Sequence, residues 1–375
     1  MSRKLLPLST AAILLGGTAV ADVPSVAVDI APVHSLVARV MVGVGAPDLI
    51  VQSGASPHEY SLRPSEAAAL QNADLVFWMG EDLTPWLEDA IGNLAVKASV
   101  TALLETEGTK LLDFREGTLF EAHDHDDHAE GEDHDHDDHD AHADDKEHDH
   151  AEHADEDHAD EEHAEGKDHD EHDHDEHAHE EHADHDEHEE HAEHDEHDDH
   201  EGHAHGDHDP HAWLSLQNAG TWLNVIAAQL SAADPDNAGA YFANAAAAKT
   251  EIETLSAEVT ATLEPVRGGS FIVFHDAYQY FEAEFDFPAS GAISIADAAD
   301  PSPARIAEIQ GRIREEGIDC VLAEPQFNAG LIATVLEGTD AQTGVIDPLG
   351  AELELGAALY PQLIRNMATT LADCL

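Results

Sequence analysis

The sequence predicts an α/β protein of two Rossmann-like (β/α) lobes joined by a long rigid helix, with a ligand cleft between the lobes. Short apolar runs alternate with segments of helical period, a pattern that implies parallel strands linked by crossover helices. The alternation occurs twice along the chain. Between the two sets, from Pro235 to about Leu263, strong helix formers run without an internal proline. At 1.5 Å per residue that stretch would extend ~40 Å, long enough to bridge two lobes.

In the first set, Ser25–Ile30 ("SVAVDI") reads as a strand and Val33–Gly43 as a helix with Val33, Leu36, Val37 and Val40 on one face. Asp48–Gln52 is the next strand. Arg63–Ala73 starts a helix with Pro64 at its first position, where the missing N–H costs nothing. Asp74–Gly80 is a strand ending in glycine, and Thr84–Leu94 is helical. Leu214–Leu230 carries Ala219, Trp222, Ile226 and Leu230 on one stripe. The second set runs Ser270–Phe274 (strand), Asp276–Phe285 (helix), 292–296 (strand) and Ser302–Gly317 (helix with a Ser-Pro entry). It continues with strand 318–324, helix 329–338, strand 343–347 and a final helix over 360–374.

Composition divides the chain further. It has 375 residues and a formal charge of −66, much of it concentrated in residues 121–208. That tract uses only Ala, Asp, Glu, Gly, His and Lys. Without larger apolar side chains it cannot bury a core that offsets the entropy of ordering, so it reads as a disordered insertion in the first lobe. So acidic a chain repels phosphate backbones and anionic lipid, which argues against nucleic acid and membrane surfaces as partners. Arg3 and Lys4, an apolar stretch and Ala19-Val20-Ala21 make residues 1–21 a secretory signal peptide, with no stable membrane anchor expected. The domain reading is therefore leader 1–21, first lobe 22–234, linking helix 235–265 and second lobe 266–375. The cysteines are Cys320 and Cys374. In an oxidising compartment they most simply form a disulfide; two free thiols acting as ligands is the alternative.

Imidazole beside carboxylate in such quantity points to metal. The tract begins with His123, His125, His128, His134, His136 and His139, spaced too variably to write one fixed coordination shell. Gathering ligands from a flexible chain costs entropy, so these histidines are expected to be accessory, weaker sites. Outside the tract remain His34, His58, His211 and His275. His58 and His275 follow strands of different lobes, and His211 ("DPHAW") precedes a helix. Open α/β sheets place ligands beyond the carboxyl ends of their strands, so these three are candidates for a metal in the cleft. His34, in the first turn of a helix, reads as structural or cleft-lining. Asp347 ("DPLG") sits at a further strand end, either as a fourth donor or as a turn opener. Glu324 ("LAEPQF") reads as a structural hydrogen-bond or salt-bridge partner.

These segments together resemble the zinc-binding proteins of bacterial high-affinity zinc ABC importers. The resemblance rests on "SGASPHEYSLRPSEAAALQNADLVFWMG", "DPHAWLSL", "FIVFHDAYQYFE", "CVLAEPQF" and "VIDPLG", in that order. It implies two α/β lobes, a rigid linking helix and Zn²⁺ held in the cleft as cargo. It also implies a periplasmic, monomeric protein that delivers the ion to a membrane permease driven by a cytoplasmic ATPase. Carried over motif by motif, His58, His211 and His275 match the family's metal-binding histidines, and Cys320 and Cys374 its disulfide. Manganese-specific relatives have a carboxylate where His275 stands, and imidazole suits Zn²⁺ better than Mn²⁺. Asp347 matches a position that supplies an aspartate ligand in manganese relatives. Some zinc members carry a carboxylate just before the first histidine; here Pro57 stands there, which leaves Asp347 or water to complete the shell. An enzyme is not expected: there is no H-E-x-x-H motif, and no general base is evident beside the three histidines. A manganese or iron receptor and a pure zinc buffer are the other readings.

Overall fold

The computed structural model describes residues 23–115, 120, 208–294 and 301–375. Residues 1–21, expected to be a leader, and His123, His125, His128, His134, His136 and His139 lie outside the described residues.

Two parallel sheets form, as the double alternation predicts. The first contains β1 (Val26–Val28), β2 (Asp48–Leu49), β3 (Leu75–Trp78) and β4 (Ser99–Ala102) in the order β2-β1-β3-β4. Its helices are α1 (Ala31–Val40), α2 (Pro64–Asn72) and α3 (Pro85–Leu94). Next come α4 (Leu216–Ala233) and the 26-residue α5 (Ala238–Leu263). The second sheet holds β5 (Phe271–His275), β6 (Ala292–Ser294), β7 (Cys320–Ala323) and β8 (Gln342–Val345) in the order β6-β5-β7-β8. Around it lie α6 (Gln279–Phe285), α7 (Pro303–Glu316), α8 (Ala329–Leu336) and α9 (Leu359–Cys374). The two sheets therefore repeat one topology.

Local chemistry explains the helix starts. Proline opens α2, α3 and α7 at positions that need no N–H donor. The Ser302 hydroxyl accepts the Arg305 N–H at 3.2 Å, and Gly317 ends α7 in the left-handed region. Strand β4 was not anticipated. "SVTA" has no apolar run, because it is a half-exposed edge strand that needs only β3 as partner.

Both faces of each sheet are covered, as parallel sheets require. Side chains alternate across the strands. Val26 and Val28 face the main core, whereas Ala27 faces an outer cluster with Leu70, Leu87 and Ile91. In the second sheet Phe271 and Val273 point to the main core, and Ile272 and Phe274 meet Ile309 and Ile313 of α7. The main core is shared by the lobes. Helix α5 packs on α1 and α4 of the first lobe and on α9 of the second, burying Tyr241, Leu255, Val259 and Leu263. It is a packed spine rather than a bare rod. Polar bonds reinforce the seam: Trp213 Nε1 donates to Pro348 O, and the Tyr360 hydroxyl donates to Trp213 O, each at 2.9 Å. No helix among the described residues is long and apolar enough to cross a membrane.

Cys320 and Cys374 form a disulfide with Cα atoms 5.8 Å apart, stapling the end of α9 to the start of β7 across 54 residues. A loop of that length stabilises by on the order of 4 kcal/mol in the chain-entropy model. Replacing both cysteines with serine is expected to lower the unfolding free energy by about 2–5 kcal/mol, read from denaturant midpoints under oxidising conditions.

Asp29 ends β1 and is 1% exposed. Its Oδ1 accepts the Ile30 N–H at 2.7 Å and its Oδ2 accepts the Met79 N–H at 2.6 Å, tying β1 to the end of β3. These donors favour the ionised form, but burial outweighs them and raises the pKa from 3.8 to about 7. Between those values the folded state holds a proton that the unfolded chain has released. The group's stability contribution is therefore complete below about pH 4 and falls as pH rises through about 7. Asp29→Asn is expected to flatten that part of the stability–pH curve. It should also cost about 1–3 kcal/mol at acidic pH, since an amide nitrogen cannot accept a backbone N–H. Urea unfolding of both proteins from pH 4 to 8 measures each effect.

Candidate metal centre

In both sheets the connections diverge from the central strand pair, β1 with β3 and β5 with β7, which opens a crevice at the carboxyl ends. His275 is the last residue of β5, and Glu324 directly follows β7. Because those strands are neighbours, the two side chains meet: Nδ1 of His275 lies 2.5 Å from Oε1 of Glu324, both groups buried. His211 comes from the other lobe, just before the short turn Ala212–Leu214 that leads into α4. There Asp209 folds back on the chain. Its Oδ1 accepts the His211 N–H at 2.9 Å and stands 2.7 Å from His211 Nδ1.

His58 is held differently, on the loop between β2 and α2. Trp86 of α3 donates its indole N–H to Pro57 O at 2.8 Å. The Tyr60 hydroxyl donates to Glu66 Oε1 at 2.8 Å, and the Tyr60 ring packs against Trp86 with centroids 5.6 Å apart. Glu66 also accepts the Arg63 N–H at 2.8 Å. The loop is thus anchored on both sides of His58.

The three histidines line one pocket together with Glu324 and the apolar walls Trp213 and Phe327. The ring of His211 is central, 5.5 Å from the ring of His58 and 5.3 Å from that of His275, centroid to centroid. Among the described residues, no three His, Cys, Asp or Glu side chains are closed tightly enough to grip an ion as they stand. The ring separations nevertheless suit one. With Zn–N of about 2.0–2.1 Å and tetrahedral angles, imidazole centroids sharing a zinc ion would stand about 5 Å apart.

The carboxylates define what two of the rings can do. Where the carboxylate is ionised it only accepts, which puts the hydrogen of each pair on Nδ1; in the neutral imidazole Nε2 then keeps its lone pair. Such pairs fix the ring's orientation and strengthen it as a ligand.

The other sequence candidates lie elsewhere. Asp347 is committed to its own turn. Its Oδ1 accepts the N–H groups of Leu349 and Gly350 at 3.0 and 2.9 Å, and its Oδ2 accepts that of Ala351 at 2.6 Å. Its neighbours Pro348 and Leu349 line the histidine pocket; Asp347 itself lines a different one, beside α9. His34 is buried in α1, with Nε2 3.0 Å from Pro47 O. Asp209 escaped the sequence reading as a site residue, although its place two residues before His211 is the signature of a side-chain turn. The His275–Glu324 pair had no local signal, because 49 residues separate its members.

The family model described as "ZnuA: Zinc-uptake complex component A periplasmic" matches residues 26–374. The chain belongs to that family. The "High-affinity zinc uptake system protein ZnuA" of Brucella abortus (strain 2308) is 44% identical over 360 residues, covering 96% of this chain and 94% of its own length. The fold matches a solved structure described as "Crystal structure of ZnuA" with a TM-score of 0.63 at 18% identity, covering 94% of this chain and 99% of the other. A second structure, "Crystal structure of 138-173 ZnuA deletion mutant plus zinc bound", gives the same TM-score, 0.63, at 18% identity over 94% and 98% of the two chains. In this chain the three histidines line one pocket, and two of them are paired with buried carboxylates.

Glu324→Gln keeps the shape of the His275 partner and removes its charge. It is expected to weaken Zn²⁺ binding about 10–100-fold, read by competition with a chromophoric chelator. Unchanged affinity would show that packing alone orients the His275 ring.

Proposed function

We propose that this chain is a solute-binding protein that captures Zn²⁺ in the periplasm and delivers it to the permease of an ATP-driven importer. His58, His211 and His275 hold the ion, and no reaction is catalysed. Residues 1–21 direct export and are removed. The observation that carries this reading is the convergence of three imidazoles, from three separate segments and both lobes, on one pocket. Membership in the zinc-uptake family and the relative's name support zinc as the cargo.

The residues divide the work. His211 and His275, each braced by a buried carboxylate, form a preorganised pair on sheet and helix ends. An arriving ion sheds water onto this pair, and His58 completes the triad from its anchored loop. Neutral imidazoles favour Zn²⁺ over cations that prefer all-oxygen shells. Asp209 and Glu324 offset the ion's charge without binding it, which keeps the site neutral overall and reversible. Asp347 stays with its three backbone donors, and water takes the fourth position. The acidic, histidine-rich tract acts as an accessory store of weaker sites that raises the local zinc concentration.

Calorimetry of the full chain should show one tight zinc event. His275→Ala is expected to weaken that event by at least about 100-fold, beyond what loss of an outer partner causes. Affinity should also fall as pH drops toward 6, since protons compete for the imidazoles. Removing residues 121–207 is expected to abolish weaker events and leave the tight one; losing the tight event would assign the working site to the tract.

A further inference from the structure

Arg115 belongs to the first lobe, at the point where the chain enters the histidine-rich insertion. Its guanidinium nevertheless binds the second lobe. Nε donates to Asp276 Oδ2 at 3.0 Å, and Nη2 donates to the other oxygen of the same carboxylate. Nη1 donates to Glu282 Oε2 at 2.7 Å, and Nη2 also reaches Glu282 Oε1 at 3.0 Å. The Arg115 side chain is 17% exposed, that of Asp276 7% and that of Glu282 5%. The Phe120 ring packs over the guanidinium with 3.6 Å to its centroid.

This clasp sits among contacts that tie both ends of the insertion to α6. The Leu112 N–H donates to the Tyr280 hydroxyl, which donates onward to Asp209 O, each at 2.9 Å. Asp113 and His208 pair across an isolated antiparallel bridge, with His208 Nδ1 2.9 Å from Asp113 Oδ1. Asp276 is the residue after His275, and Asp209 lies two residues before His211. One buried polar assembly therefore grips the chain beside two of the three histidines. A single guanidinium serves two buried carboxylates, so its loss would leave both without a counter-charge and drive them apart.

We propose that Arg115 is a positioning residue for the metal site. Its fork fixes the His275 turn of the second lobe against the Asp209–His211 turn of the first, and so couples the neck of the insertion to zinc affinity. The proposal rests on the reading of His58, His211 and His275 as the zinc site.

The test uses the full chain and three variants: Arg115→Gln, Arg115→Lys and His275→Ala. For each, the tight zinc dissociation constant, the rate of zinc release to excess chelator, the visible spectrum of the first equivalent of Co²⁺ and the metal-free melting temperature are measured. Arg115→Gln is expected to weaken zinc binding about tenfold, as loss of an outer partner does, and to speed release by a similar factor. Its Co²⁺ band should shift. Lysine keeps the charge but cannot fork onto two carboxylates. Arg115→Lys should therefore regain most of the melting temperature while affinity and Co²⁺ spectrum stay displaced, a separation that a purely structural ion pair would not produce. If Arg115→Gln does not fold, Arg115→Lys decides by the same affinity and spectrum. Wild-type affinity and spectrum in the folded Arg115 variants, with affinity lost in His275→Ala, would overturn the proposal and spare the site. Wild-type affinity in His275→Ala would overturn both.

Discussion

A continuous apolar core runs through both lobes with helix α5 as its axis, and the geometry of the pocket depends on it. Tyr241, Leu255 and Val259 of α5 share that core with Leu36 of α1, Trp222 of α4 and Met367 of α9. Burial of apolar area on this scale holds the two sheets in one relation. Their carboxyl ends then face a common crevice, so residues far apart in the chain arrive within one ring's width of each other. The disulfide between Cys320 and Cys374 adds a covalent tie at the start of β7, the strand whose opposite end leads to Glu324.

Within that frame, the site is built by restricting imidazoles. A histidine on an open surface samples two tautomers, many ring orientations and a protonated form. His211 and His275 are each given one orientation by a buried carboxylate at hydrogen-bond distance. The cost of ordering these two rings is met when the protein folds. The loop that carries His58 is held through backbone and aromatic contacts to Trp86 and Tyr60.

The match between reading and structure is uneven for physical reasons. Strands β1, β3, β5 and β7 are buried on both faces, so each is written as an apolar run. Helices α2, α3 and α7 begin at prolines, a signal that acts within one turn. Edge strand β4 needs no such run and left no trace. His58, His211 and His275 stood out because histidine is sparse outside the tract and each ends or precedes an element. Asp347 stood out for the same positional reason, but its side chain faces the backbone of its own turn. Position at a strand end marks a residue as near a crevice; it does not say which way the side chain turns.

By itself the sequence determined the alternation of strands and helices, the long central helix, the disulfide pair and the separation of a compositional tract from isolated histidines. These follow from periodicity, capping and composition, which act over a few residues or over none. Only the tertiary structure decided that Glu324 braces His275, that Arg115 spans from the neck of the insertion to Asp276 and Glu282, and that Asp347 turns inward. Those pairings join residues 49 to 167 positions apart or hinge on rotamers. They exist because two sheets of the same topology pack on one spine, and no local signal encodes which side chains that packing brings together.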